Sequence, residues 1–169
     1  MTLIYAFSNQ WGTNISRRVL SGLQSYLPKN KDINYQIILG HPRTFFNKYI
    51  PNDNYDLIIG LGDFYGESQK IRIETVAKNA YGKESLNPLF PIKMELNLPE
   101  MEMYEPEYFE ISEFMGTYNC NWIAFMIQLS LNKRKMATKN LFLHLPKGGR
   151  DRILAKMIAD LIINNRMIK

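Results

Sequence analysis

One cysteine, two histidines and no apolar run of membrane-spanning length set the first boundaries on this 169-residue chain. A single cysteine closes no intrachain disulfide, so the usual mark of an oxidising compartment is missing. One thiol and two imidazoles scattered along the sequence are a poor ligand set for zinc, and no metal or organic cofactor is expected. No stretch approaches the ~20 consecutive apolar residues of a membrane helix, so no membrane partner is expected either. The opening apolar stretch, Met1 to Phe7, is shorter than a signal-peptide apolar region and runs straight into Ser8-Asn9-Gln10, which makes a cytoplasmic location the expectation. There are no internal repeats and no linker that would split the chain. What is present is ordinary for a globular protein: 46 % hydrophobic and 22 % charged residues, enough for one domain over residues 1–169 with one sizeable core. Lys and Arg number 21 against 16 Asp and Glu, a net charge of +5, which permits an acidic partner without requiring one.

Periodicity predicts alternating strands and helices. Thr2 to Phe7, Ile33 to Leu39 and Tyr55 to Leu61 read as strands, the last apolar enough to be buried on both faces. Ser16 opens a helix to about Leu27, with Val19, Leu20, Leu23 and Leu27 on one face and Pro28 and the Lys29–Asp32 run beyond its end. Lys70 to Val76 alternates, with Ile71, Ile73 and Thr75 against Arg72, Glu74 and Val76, as a strand with one face toward a site does. Residues 82–106 read as a long irregular connection rich in Pro and Met. Cys120 to Leu131 is a strongly apolar helix, Asn140 to Leu145 a short strand stopped by Pro146, and Asp151 to about Asn164 a final amphipathic helix. The pattern predicts an α/β class: a single-domain twisted, mostly parallel sheet with helices on both faces.

Three residues could carry chemistry. Cys120 stands at the start of an apolar helix, where unpaired backbone N–H groups and the helix dipole favour a thiolate and a thiol pKa below the free value of ~8.5; a small buried hydrophobe is the alternative. His144 follows Leu141-Phe142-Leu143 at the carboxyl end of a strand, where open α/β sheets place their sites, and could be the base that takes a thiol proton; a core histidine tied to a backbone carbonyl is the alternative. Glu74 could hold an imidazole in one tautomer, or simply be solvated. His41, in a Gly-His-Pro turn, reads as a surface residue. Gly60-Leu61-Gly62 with Gly66 is a weak dinucleotide pattern, one residue too long and after the wrong strand. Lys133-Arg134-Lys135 and Lys139 read as solvated helix-end cations, so no nucleic acid is expected.

Three segments together resemble a known family. Gly60 to Asn79 (GLGDFYGESQKIRIETVAKN), Ser112 to Asn121 (SEFMGTYNCN) and Phe142 to Pro146 (FLHLP) are similar to the glutamate, cysteine and histidine motifs of the pyroglutamyl peptidases, also called pyrrolidone carboxyl peptidases. The resemblance extends to the first strand and the last helix. It implies a cysteine peptidase that hydrolyses the amide bond after an N-terminal pyroglutamyl or similar residue, with Cys120 as nucleophile, His144 as base and Glu74 as its orienting carboxylate. It also implies a peptide or small amide substrate and a homo-oligomer. Where the family has Phe-x-Pro-Phe-Gly-Gly, this chain has Phe7-Ser8-Asn9-Gln10-Trp11-Gly12; where the family has an arginine near the oxyanion, it has Lys83 and Glu84. Phe7, Trp11 and Phe64 are therefore the candidates for the ring slot and Lys83 for the oxyanion cation. The motifs around the reactive groups match better than the pocket. The alternative reading is a catalytically weak or inactive relative that binds peptide termini or a small cyclic amide. The segment 91–106 reads as either an interface or a lid.

Overall fold

A computed structural model describes residues 1–29, 32–52, 54–102 and 105–168. Its main sheet has six strands: β1 (Thr2–Ser8), β2 (Ile33–Leu39), β3 (Leu57–Phe64), β4 (Ile71–Glu74), β7 (Phe109–Ser112) and β8 (Lys139–Pro146). They lie in the order β2-β1-β3-β8-β4-β7. The first four are mutually parallel, β4 pairs antiparallel to β8, and β7 is parallel to β4. β5 (Val76–Lys78) and β6 (Lys93–Glu95) form a separate antiparallel ribbon.

Helices cover both faces of the sheet, and the strand sequences show why. In β8, Leu141, Leu143 and Leu145 turn to one side and Phe142 and His144 to the other, so the strand reads as one continuous apolar run. The leucine side is covered by α1 (Ile15–Tyr26) and α4 (Asp151–Asn164), which pack Val19, Leu20, Leu23, Ile158 and Ile162 onto it. The two helices approach so closely that a Cβ on Gly22 would stand 2.8 Å from Cβ of Ala155. The other side is covered by α2 (Arg43–Tyr49) and α3 (Asn119–Arg134). Helix α3 is apolar nearly all round because it is enclosed between the sheet and the segment carrying β5 and β6.

Several expected boundaries move. Asn14, rather than Ser16, caps α1, its side chain accepting from the Ser16 N–H at 3.0 Å, a bond worth about 1 kcal/mol. The third strand starts two residues later and runs on to Phe64. The alternating strand breaks at Thr75, whose N–H donates to Ser112 O while its carbonyl accepts from Leu96 N–H, so the chain steps there from the sheet to the ribbon. The irregular connection contains β6. Helix α2 and strand β7 were not anticipated; at seven and four residues they are too short to show a period. Of the run expected beyond α1, Asn30 and Lys31 lie outside the described residues, as do Met103 and Tyr104 of the segment 91–106. Among the described residues no helix is long and apolar enough to cross a membrane.

Candidate active site

The pleat puts a set of chemically distinct residues on the α3 side of the sheet. Tyr5 is in register with Gly60, Gly60 with Phe142 and Gly62 with His144. From the other flank, Arg72 is opposite His144 and Glu74 opposite Phe142. Because successive side chains alternate, all of these point to one face. His144 thus stands between a bare stretch of β3 on one side and the polar face of β4 on the other, near the carboxyl ends of the parallel strands, where open α/β sheets carry their sites.

The β4 side supplies a carboxylate. Glu74 Oε1 lies 2.7 Å from His144 Nδ1, with Glu74 fully buried and His144 only 5 % exposed. With Nδ1–H donating to the carboxylate, the lone pair of Nε2 faces the opposite way. Glu74 Oε2 is buried with no hydrogen-bond partner among the described residues.

The β3 side supplies space. A Cβ built on Gly62 would stand 2.8 Å from Cys120 Sγ and 3.0 Å from His144 Cδ2. The sulfur and the imidazole edge that carries Nε2 therefore both border the notch this glycine leaves. Gly60 leaves a second notch, filled by the Tyr5 hydroxyl at 2.5 Å from the corresponding Cβ position. The Gly60-Leu61-Gly62 segment is thus a strand interior with two notches, not a phosphate-binding turn.

Cys120 is the second residue of α3 and is held there by its neighbour. The buried Asn121 side chain accepts from Lys78 N–H at 2.7 Å and donates to the carbonyls of Lys78 and Ala80 at 2.9 and 2.8 Å. That clasp ties the start of α3 to β5. The thiol does not follow the expectation for a helix N-terminus: its pKa is pushed up to about 12. Burial is the largest cause, followed by the carboxylates of Asp63 and Glu74; only the residue's own backbone N–H pulls the other way. Desolvation and two negative neighbours outweigh one helix end.

Beside the sulfur opens a cleft of about 690 Å³ lined by Phe7, Trp11, Asp63, Tyr65, Asn119 and Cys120, among others. Phe7 is a buried wall and Trp11, 76 % exposed, stands at the rim. Phe64 is not part of this lining. It shares the face of Gly62, and its ring is covered by the Arg72 guanidinium at 3.4 Å from the centroid and lies 6.4 Å from the His144 ring. Lys83 is exposed on the turn bridged by Tyr81 and Glu84. That turn docks ahead of α3 through Gly82 N–H and Thr117 O, 2.8 Å apart, and Lys83 is exposed there, outside the lining of the cleft beside Cys120. His41 is exposed, as expected, with its ring 5.0 Å from that of Trp122. The sequence reading missed Asp63, Tyr5 and Tyr65. Asp63 lies past Leu61, where the expected strand stops, and Tyr5 looks like any core aromatic. Among the described residues there is no group of three or more His, Cys, Asp and Glu that could hold a metal ion.

Solved structures carry the same architecture. The chain superposes on a pyrrolidone carboxyl peptidase from the thermophilic, keratin-degrading bacterium Fervidobacterium islandicum with a TM-score of 0.81 at 20 % identity, covering 98 % of this chain and 97 % of that one. A mutant pyrrolidone carboxyl peptidase from Pyrococcus furiosus gives 0.78 at 18 % identity, with 98 % of each chain covered. The fold is that of the pyrrolidone carboxyl peptidases. No protein-family model and no curated protein sequence matches the chain. The likeness to pyrrolidone carboxyl peptidases therefore rests on three-dimensional architecture, over nearly the whole length of both partners.

Proposed function

We propose that the chain is a cysteine peptidase of the pyrrolidone carboxyl peptidase kind, hydrolysing the amide bond after an N-terminal pyroglutamyl or similar residue. The observation that supports the reading is that Cys120 Sγ and the His144 ring edge both border the empty Cβ position of Gly62, with Glu74 on the far nitrogen of the ring. In the first step the Sγ proton moves to His144 Nε2 as sulfur bonds to the scissile carbonyl carbon. The carbon–nitrogen bond then breaks, and the same proton passes to the leaving amine. In the second step a water gives its proton to His144 while its oxygen bonds to the thioester carbon. The carbon–sulfur bond breaks and the proton returns to sulfur. Glu74 is a positioning residue: it fixes the tautomer and stabilises the imidazolium.

The raised thiol pKa shapes this mechanism. The resting sulfur is a neutral thiol, so proton transfer accompanies attack instead of preceding it. The same observation favours a second reading, a weakly active relative that binds peptide termini without efficient turnover. Incubation with the pyroglutamyl amide of 7-amino-4-methylcoumarin separates the two. Fluorescence release that disappears in Cys120→Ala supports the peptidase. No release from any N-terminal amide, at protein concentrations that bind the compound, supports the binder.

A further inference from the structure

The cleft beside Cys120 has an unusual lining for a neutral ligand. Its residues are three aromatics, Phe7, Trp11 and Tyr65, several amides and hydroxyls, and one charged side chain, Asp63; it holds no Lys, Arg or His. On a chain of net charge +5 this is a local reversal of sign. The Asp63 carboxylate is anchored on one oxygen only. Oδ1 accepts from the Ser16 hydroxyl and from the Ser16 N–H, whereas Oδ2 has no partner among the described residues. Two cations approach from outside the lining: Lys147 Nζ lies 4.4 Å from the Tyr65 ring centroid, and the Arg17 guanidinium packs against Gly12. Neither is paired with Asp63.

An anchored carboxylate with a free oxygen, set among aromatic faces, suits a cation that is partly desolvated. A neutral lactam could offer that oxygen an N–H but would leave its charge uncompensated, whereas a protonated amine offers both a donor and the opposite charge. We propose that this cleft takes a substrate whose N-terminal residue carries a protonated amine, paired with Asp63 Oδ2 and walled by Phe7, Trp11 and Tyr65. The inference rests on the peptidase reading above and specifies its substrate class. Such a cation would also offset one of the two negative charges that keep Cys120 protonated, so the correct substrate would assist its own attack.

Proline and pyroglutamate form a near-isosteric pair: the same five-membered ring, cationic in one and a neutral lactam in the other. The test compares kcat/KM for the prolyl and pyroglutamyl amides of 7-amino-4-methylcoumarin, in the native chain and in Asp63→Asn, which retains an oxygen for Ser16. The expected result is a prolyl preference whose ratio falls at least tenfold in the variant. Hydrolysis of both amides with the pyroglutamyl one preferred, or with a ratio that the variant leaves unchanged, overturns the inference and leaves the peptidase standing. If neither amide is hydrolysed, the peptidase reading fails, and binding decides. L-prolinamide should then slow modification of Cys120 by a neutral disulfide in the native chain, while 2-pyrrolidone does not. Equal protection by both, or by neither, overturns the proposal.

Discussion

The protonated state of Cys120 makes a prediction that can be worked through to a rate. With a folded pKa of about 12 against an ordinary 9.0, the thiolate fraction at pH 8 is about 10⁻⁴ in the folded chain and about 10⁻¹ in the unfolded one, a deficit of roughly a thousandfold in the reactive species. A more basic thiolate is the better nucleophile. With a Brønsted coefficient of about 0.4–0.5, three pKa units return roughly 15- to 30-fold. The folded protein should therefore react with hydroxyethyl disulfide roughly 30- to 60-fold more slowly than the same chain in urea. Restricted access to the cleft would also slow the reaction, so the decisive feature is the pH dependence. The folded rate should climb about tenfold per pH unit from pH 7 to 10 without bending, whereas the unfolded rate should level off above its thiol pKa of 9.0. Mass spectrometry of the mixed disulfide follows both. A folded rate that bends below pH 8.5, or that exceeds the unfolded one, would refute the argument and restore an activated thiolate. The linkage has a definite sign. Between pH 9 and 12 only the unfolded chain has released the proton, so stability should fall with rising pH across that window.

Three further substitutions probe the site. Gly62→Ala puts a methyl 2.8 Å from the sulfur and 3.0 Å from the imidazole; it should cost about 1–3 kcal/mol of stability in urea titration and abolish most turnover, and an unaffected variant would mean the two groups do not meet there. Glu74→Gln keeps an acceptor for Nδ1–H but removes the charge that stabilises the imidazolium; kcat should fall about 10³- to 10⁴-fold with KM little changed, and a fall confined to KM would assign Glu74 to substrate binding. Tyr5→Phe removes a buried hydroxyl that has no partner among the described residues; the variant should be as stable as the parent, or up to about 1 kcal/mol more so, and a loss beyond that size in the same urea titration would show that the hydroxyl makes a bond.

Reactive residues at the ends of periodic elements were legible because their types are rare. With one cysteine and two histidines in the chain, few assignments were open, and the alternation Ile71-Arg72-Ile73-Glu74 already separated a core face from a polar one. The structure sends Ile71 and Ile73 into the core beneath α1 and α4, and Glu74 to His144. The same pleat rule, carried three residues further along β3, would have set Phe64 on the Gly62 face, next to Arg72 and away from the cleft. Nothing in the sequence signals that β3 continues past Leu61 to Phe64, so the faces of Asp63 and Phe64 are not legible there. Thiol chemistry was misjudged for a related reason. A helix N-terminus is a local feature that sequence displays, whereas desolvation of the sulfur and the approach of Asp63 are tertiary. Asp63 is anchored by Ser16, a residue 47 positions away that had been assigned to a helix cap. The two glycines make the point most sharply. As letters, Gly60 and Gly62 with Gly66 make only a weak dinucleotide pattern; as positions in a strand they are the absence of two Cβ atoms. Those absences, one filled by a phenol and the other by a thiol beside an imidazole, give the site its shape, and no spacing rule assigns a function to a missing side chain until its neighbours across the sheet are known.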